Sequence, residues 1–182
     1  FLGLNGAGKT TTLKVLAGVL MPTAGTVKID GHDLNDAPLA LRSQIGFLPE
    51  TPPLHADMRV RDFLQYVAEL RGMSSGDIAP RIETVAAQTE IAGVLDQVVS
   101  TLSHGFRKRV GIAQAILHEP KLVILDEPIT RDFQAFSSSL ARSTFVLSCP
   151  VEGLNASDRP NDTVYIIRNT PPLGQEIVEK IG

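Results

Sequence analysis

The apolar residues of this chain follow two periods that take turns along its length. FLGL (Phe1 to Leu4), TVKIDG (Thr26 to Gly31), QIGFLPE (Gln44 to Glu50) and KLVILD (Lys121 to Asp126) are short runs rich in strand formers. The third must end at Pro49, before the loop TPPLHADM. Between them, apolar residues recur three and four apart. Leu13, Leu16, Ala17 and Leu20 fall on one helical face that MPTAG is expected to stop. From Arg59 to about Leu95 the pattern predicts two helices, the second with Pro80 in its first turn, where proline is tolerated. LSHGFRKRVGIAQAILHEP predicts a helix capped by Ser103, with Val110, Ala113, Ile116 and Leu117 facing inward. STFVLS (Ser143 to Ser148) and TVYIIRN (Thr163 to Asn169) predict two more strands, and QEIVEKI near the end a short helix.

The continuous apolar run Leu122 to Leu125 is of the kind buried on both faces of a parallel sheet. Strand and helix alternate, so the expected class is α/β, a mostly parallel sheet flanked by helices. Residues 1–182 are expected to form one domain, with 59–100 a helical subdomain inserted within it.

Composition narrows the partners. A chain of 182 residues with 43% hydrophobic and 20% charged residues can bury a core, and a net charge of −3 supplies no basic field for nucleic acid or anionic lipid. Cys149 is the only cysteine, which rules out an internal disulfide and a cysteine zinc cluster. No apolar run approaches the roughly 20 residues that span a bilayer, so the chain is expected to be soluble or peripheral to a membrane through a partner. It opens at Phe1, inside a predicted strand, with no initiator methionine or signal peptide, which predicts a fragment.

Gly3 to Thr10 reads GLNGAGKT and matches GxxxxGK[ST] between a predicted strand and a predicted helix. Glycines there let successive amide N–H groups turn toward phosphate oxygens, and the helix N-terminus adds partial positive charge. Asn5, Gly6, Ala7, Gly8, Lys9, Thr10 and Thr11 are the predicted nucleotide contacts, with Lys9 reaching the β- and γ-phosphates and the Thr10 hydroxyl ligating Mg²⁺. The other reading of the glycines is a plain strand-to-helix turn. A second feature favours the phosphate site: the buried strand ends in Asp126 and Glu127, closed by Pro128. If that strand ends beside the phosphate loop, Asp126 can hold Mg²⁺ and Glu127 can orient or deprotonate an attacking water. An isolated strand-end Asp would more often cap a turn. Together these elements predict a P-loop NTPase fold with a nucleotide-phosphate site and Mg²⁺.

From Phe1 to Pro128 the chain resembles the nucleotide-binding subunits of ATP-binding cassette (ABC) transporters. LSHGF, Leu102 to Phe106, stands where that family has its LSGGQ-type signature, just upstream of LVILDEP, and IGFLPE resembles its Q-loop strand. The wording is most similar to ATPases of export-type permeases, including multidrug and gliding-motility systems. The resemblance implies that Ser103, His104 and Gly105 contact the γ-phosphate held by a second ATP-binding subunit, the two forming a homo- or heterodimer. On its own, Ser103 is simply a helix N-cap. It also implies a transmembrane permease as partner, no nucleic acid, and a peripheral place on the cytoplasmic face of the cell membrane.

Departures from the family are as informative. Glu50 replaces the usual Q-loop Gln, and a carboxylate there can still ligate Mg²⁺, so metal ligands are expected at Thr10, Glu50 and Asp126. His104 replaces a Gly and Phe106 a Gln. After Pro128 no SGLD follows, the connection to the next strand is roughly ten residues short, and Asp132 is a poor stand-in for the missing acid. Pro150 falls where a switch histidine belongs, and proline offers neither a side-chain nor a backbone donor. His32, His55, His104 and His118 all precede the paired acids and read as surface or loop imidazoles.

The expected function is an ATPase subunit that binds MgATP and couples dimerisation and hydrolysis to transport, with slow turnover. The alternatives are a hydrolysis-impaired regulatory subunit and a non-functional fragment. A soluble relative acting on ribosomes or DNA repair would carry a second cassette or charged inserts.

Overall fold

The computed structural model describes residues 2–3, 8–29, 31–36, 38–126, 144–150, 164–168 and 177–181, the strands at 2–3 and beyond 143 by their backbone. Among the described residues, eight strands and five α-helices follow one another as β1 (Leu2–Gly3), α1 (Lys9–Leu16), β2 (Lys28–Ile29), β3 (His32–Asp33), α2 (Pro38–Arg42), β4 (Ile45–Leu48), α3 (Val60–Leu70), α4 (Ser75–Gln88), α5 (His104–Ile116), β5 (Leu122–Asp126), β6 (Thr144–Pro150), β7 (Val164–Arg168) and β8 (Ile177–Ile181). The main sheet runs β4-β5-β6-β7-β8, with β1 also on β6. Four strands, β4, β5, β6 and β1, are parallel, and β7 and β8 are added antiparallel. The chain is thus α/β with a mostly parallel core sheet.

Alternation along β4 and β5 separates two cores. Leu48, Val123 and Leu125 point into a cluster built with α3, α4 and α5. Ile45 and Ile124 point the other way, onto Leu13 and Ala17 of α1. Each fully buried Leu or Ile contributes about 1.5–3 kcal/mol, so α1 is fixed to one face of the sheet and the three-helix group to the other. Helix α3 shows how the group is held. Val60, Phe63, Leu64 and Val67 recur at i, i+3, i+4 and i+7 and are all buried, while Tyr66 and Leu70 on the outer side are exposed. Arg81 of α4 closes the end of α5: Nε and Nη2 donate to the oxygens of Leu117 (2.9 Å) and Ile116 (2.8 Å), and Nη1 pairs with Glu119 at 3.1 Å.

Several boundaries differ from the sequence pattern. Helix α1 ends at Leu16, not at MPTAG, because Gly18 (φ 67°) forms a Schellman cap: its N–H donates to Val15 O at 3.0 Å and that of Val19 to Lys14 O at 2.9 Å. Leu20 therefore lies outside the helix and is 44% exposed. The expected strand at 26–31 is a two-residue strand that turns at Gly31 (φ 81°) to pair with β3. Helix α4 starts at Ser75, earlier than the pattern implied, so Pro80 sits in its second turn. QEIVEKI is not a helix; Ile177–Ile181 is a strand paired antiparallel with β7, as its β-branched Ile177, Val178 and Ile181 favour.

His118, just past α5, is largely buried and its Nε2–H donates to Ile45 O at 3.2 Å. Its pKa falls from the ordinary 6.5 to about 4, first by burial and then by the positive charge of Arg71 and, more weakly, Arg81, against a raising effect of the Ile45 bond. Between these values the unfolded chain takes up a proton that the folded chain refuses. Stability from neutral His118 is thus full above pH 6.5 and is lost as pH falls toward 4. Allowing for its partial exposure, urea unfolding is expected to show a loss on the order of 1–2 kcal/mol across that window. His118→Gln removes this component; an identical pH profile in the variant would refute the assignment.

Candidate active site

The parallel strands present their C-terminal ends along one edge, where ligands of open α/β sheets bind. Four segments emerge there. The phosphate loop leaves β1 after Gly3, and β4 runs out through Pro49 to Glu50. Strand β5 ends on Asp126, and β6 ends on Pro150, in register with Gly3. Strand β6 lies between the other two: Asp126 pairs with Ser148 while Leu2 pairs with Cys149. The end of β5 at Asp126 is therefore separated from the end of β1 by one strand.

Helix α1 begins at this edge. Gly8 is its N-cap in the left-handed region (φ 86°, ψ 7°), a conformation only glycine adopts without strain, and its carbonyl accepts from Thr12 N at 2.9 Å and Thr12 Oγ1 at 3.1 Å. Among the described residues, a Cβ on Gly8 would meet nothing within 4 Å. Lys9, the first helical residue, is buried, Thr10 half-buried and Thr11 exposed. The first N–H groups of the helix point at this edge with the positive end of the dipole.

Asp126 is 1% exposed, and among the described residues neither carboxylate oxygen has a hydrogen-bond partner. Leu122 and Ile124 face α1, so alternation turns Asp126 to that same face, toward the helix that starts with Lys9 and Thr10. A buried carboxylate left so is costly unless a cation joins it. A single buried carboxylate of this kind is compatible with Mg²⁺, which keeps waters and nucleotide oxygens and needs only one or two protein ligands. Glu50 is exposed at the same edge. Asn5, Gly6, Ala7 and Glu127 lie outside the described residues, as does the segment directly after Pro128.

Ser103 caps α5 as expected, its Oγ accepting from Phe106 N at 3.3 Å; Ser103 and His104 are exposed and Gly105 is half-buried. The end of α5 lies near the start of β4, where His118 meets Ile45, and Lys108 reaches Glu50 at its far end. The helix therefore runs toward the site edge, and Ser103 stands about 7–8 Å beyond Lys108 along the axis.

Sequence reasoning passed over Lys108, which is buried and donates to the main-chain oxygen of Glu50. The signal was present: Lys108 precedes the buried Ile112 and Ala115 by four and seven residues, on their face of α5.

The family described as ABC transporter matches residues 1–130. An uncharacterized ABC transporter ATP-binding protein of Bacillus subtilis, YxlF, is 40% identical over 129 residues, 71% of this chain and 42% of its own length. The bacitracin transport ATP-binding protein BcrA of Enterococcus faecalis is 40% identical over 129 residues, 70% of this chain and 41% of its own. The chain thus spans about two fifths of these relatives. Among solved structures, an ATP-binding subunit of an ABC transporter superposes with a TM-score of 0.71 at 30% identity, covering 82% of this chain and 67% of that one. The cbiO1 protein of Clostridium perfringens, part of the ABC transporter complex cbiONQ, gives a TM-score of 0.71 at 25% identity over 82% and 65%.

Proposed function

The chain belongs to the ABC transporter family, and from that premise we propose that it is the ATP-binding subunit of a transporter, binding MgATP and hydrolysing it slowly. The observation that carries this reading is one juxtaposition. The α1 N-terminus with Lys9 and Thr10 and the buried Asp126, whose carboxylate has no hydrogen-bond partner among the described residues, share one face at one sheet edge.

In this reading the amides of Asn5 to Gly8 and the Lys9 ammonium hold the β- and γ-phosphates. Thr10, Asp126 and Glu50 hold Mg²⁺, which neutralises charge on the phosphate oxygens. Glu127 orients an attacking water and takes its proton. Ser103 to Gly105 cover the γ-phosphate of a second ATP-binding subunit, whether an identical copy or a different one. A transmembrane permease converts closure into transport, which places the chain peripherally at the cytoplasmic face of the membrane; among the described residues no helix is long and apolar enough to cross it. Slow turnover is supported by Pro150, the residue in register with Gly3 at the mouth of the phosphate loop, which has no donor for a γ-phosphate.

Steady-state ATPase assays of the full chain are expected to give turnover at least about tenfold below the 1 s⁻¹ at the low end of ordinary enzymes. Pro150→His is expected to raise it about tenfold by restoring one donor. Ordinary turnover in the unaltered chain would refute the slow-hydrolysis part, and failure to bind MgATP would refute the whole reading.

A further inference from the structure

An ammonium group taken out of water must find acceptors, and Lys108 is only 5% exposed in the middle of α5. It donates to the main-chain oxygen of Glu50, two residues beyond the end of β4. One turn further along the same face, Gly111 leaves no room for a side chain: a Cβ would come within 2.6 Å of Leu48 Cδ1 and 2.9 Å of Pro52 Cβ. The segment from Leu48 to Pro52 is thus gripped by α5 in two ways, by Lys108 at Glu50 itself and by the close approach of Gly111 to Leu48 and Pro52, which flank it. The first grip is polar and the second steric. Pro49, Pro52 and Pro53 bring no N–H donors of their own to this stretch, which the Lys108 bond to Glu50 and the Leu54 N–H bond to Pro52 O hold.

We propose that Lys108 is a positioning residue for the nucleotide site, locking the loop that carries Glu50 to the helix capped by Ser103 so that the two move as one body. This rests on the reading of Glu50 as a group that reaches the magnesium of bound ATP. A displacement of Glu50 on nucleotide binding is then passed to Ser103 without slack, and a slack loop places Glu50 poorly. A lysine serving only as packing would contribute to the stability of α5 and leave the metal dependence of binding alone.

Two measurements on the full chain test this, one without nucleotide. In amide hydrogen exchange, Lys108→Met is expected to speed exchange at the amides of Glu50, Thr51, Leu54 and His55 by about tenfold or more while α3 and α4 are unchanged, and Lys108→Arg, which keeps a charged donor, to exchange slowly. In ATP titrations, Lys108→Met is expected to keep its affinity without Mg²⁺ within about twofold and to lose about tenfold of the gain that Mg²⁺ adds. Unchanged exchange at those amides in folded Lys108→Met, or equally fast exchange in Lys108→Arg, overturns the proposal. So does an intact Mg²⁺ gain. If the unaltered chain binds no ATP while the exchange difference is present, the locking role stands and the nucleotide reading falls. Should Lys108→Met not fold, Lys108→Gln, a shorter uncharged donor, is expected to give intermediate acceleration, and none would overturn the idea.

Discussion

Replacing Lys9 with alanine is expected to weaken MgATP binding by about ten- to a hundredfold, because a charge-assisted hydrogen bond to a phosphate contributes about 1.5–3 kcal/mol and Lys9 is the one cationic side chain in the GLNGAGKT sequence. The residue is buried at the first position of α1, so its ammonium is held near the edge where the loop's amides and the helix dipole already favour anions. Those amides survive in the variant, which is why residual binding is expected and complete loss is not. Alanine is the best helix former, so α1 itself should persist. Circular dichroism like that of the parent, together with isothermal titration showing the affinity loss, is the expected pair of results. Unchanged affinity would remove Lys9 from the site and the transporter reading with it.

How much of this could be read from the sequence depends on how local the deciding physics is. The Ser103 cap, the stop of β4 before Pro49 and the buried run of β5 rest on short-range chemistry, and the structure has all three. So does the Gly8 turn, where the backbone conformation and the residue type demand one another. Failures came where a distant partner decides. Ile177–Ile181 is a strand because β7 offers it an edge, and nothing within QEIVEKI reports that edge. The placement of β6 between β1 and β5 was equally invisible, since strand order is a property of the whole sheet. Leu20 was assigned to the α1 face by periodicity alone, whereas the Gly18 cap, a local signal that periodicity does not weigh, ended the helix first. For the candidate site, the motif named the residues but not their setting: that Asp126 would be buried with neither oxygen partnered among the described residues, and Glu50 tied through its carbonyl to Lys108, needed the fold. Glu127 and Asn5 to Ala7 remain readings of the motif alone.

Gly46→Ala is expected to cost about 3 kcal/mol or more, at or above the top of the usual range for overpacking, because the obstacle is backbone. The added Cβ would stand 2.1 Å from the carbonyl oxygen of Ala115, and 3.0 Å from both the Ala115 carbonyl carbon and Pro120 Cγ. A side chain could rotate away; a carbonyl in the last turn of α5 can move only if the helix lifts off β4. Three anchors resist that shift. His118 Nε2 donates to Ile45 O at 3.2 Å, Leu122 N donates to Gln44 O at 3.1 Å, and Arg81 holds the carbonyls of Ile116 and Leu117. Against a total stability of about 5–15 kcal/mol, the loss should lower the thermal midpoint by roughly 6–12 °C. Gly76→Ala in α4 is the matched control: its Cβ meets nothing within 4 Å, and the change should be neutral or stabilising by up to about 1 kcal/mol. If both variants melt with the parent, α5 does not press on β4 as closely as the Gly46 contact requires. The grip of α5 on the loop carrying Glu50 depends on that same approach, because Lys108 and Gly111 reach the segment only while the helix lies against the strand.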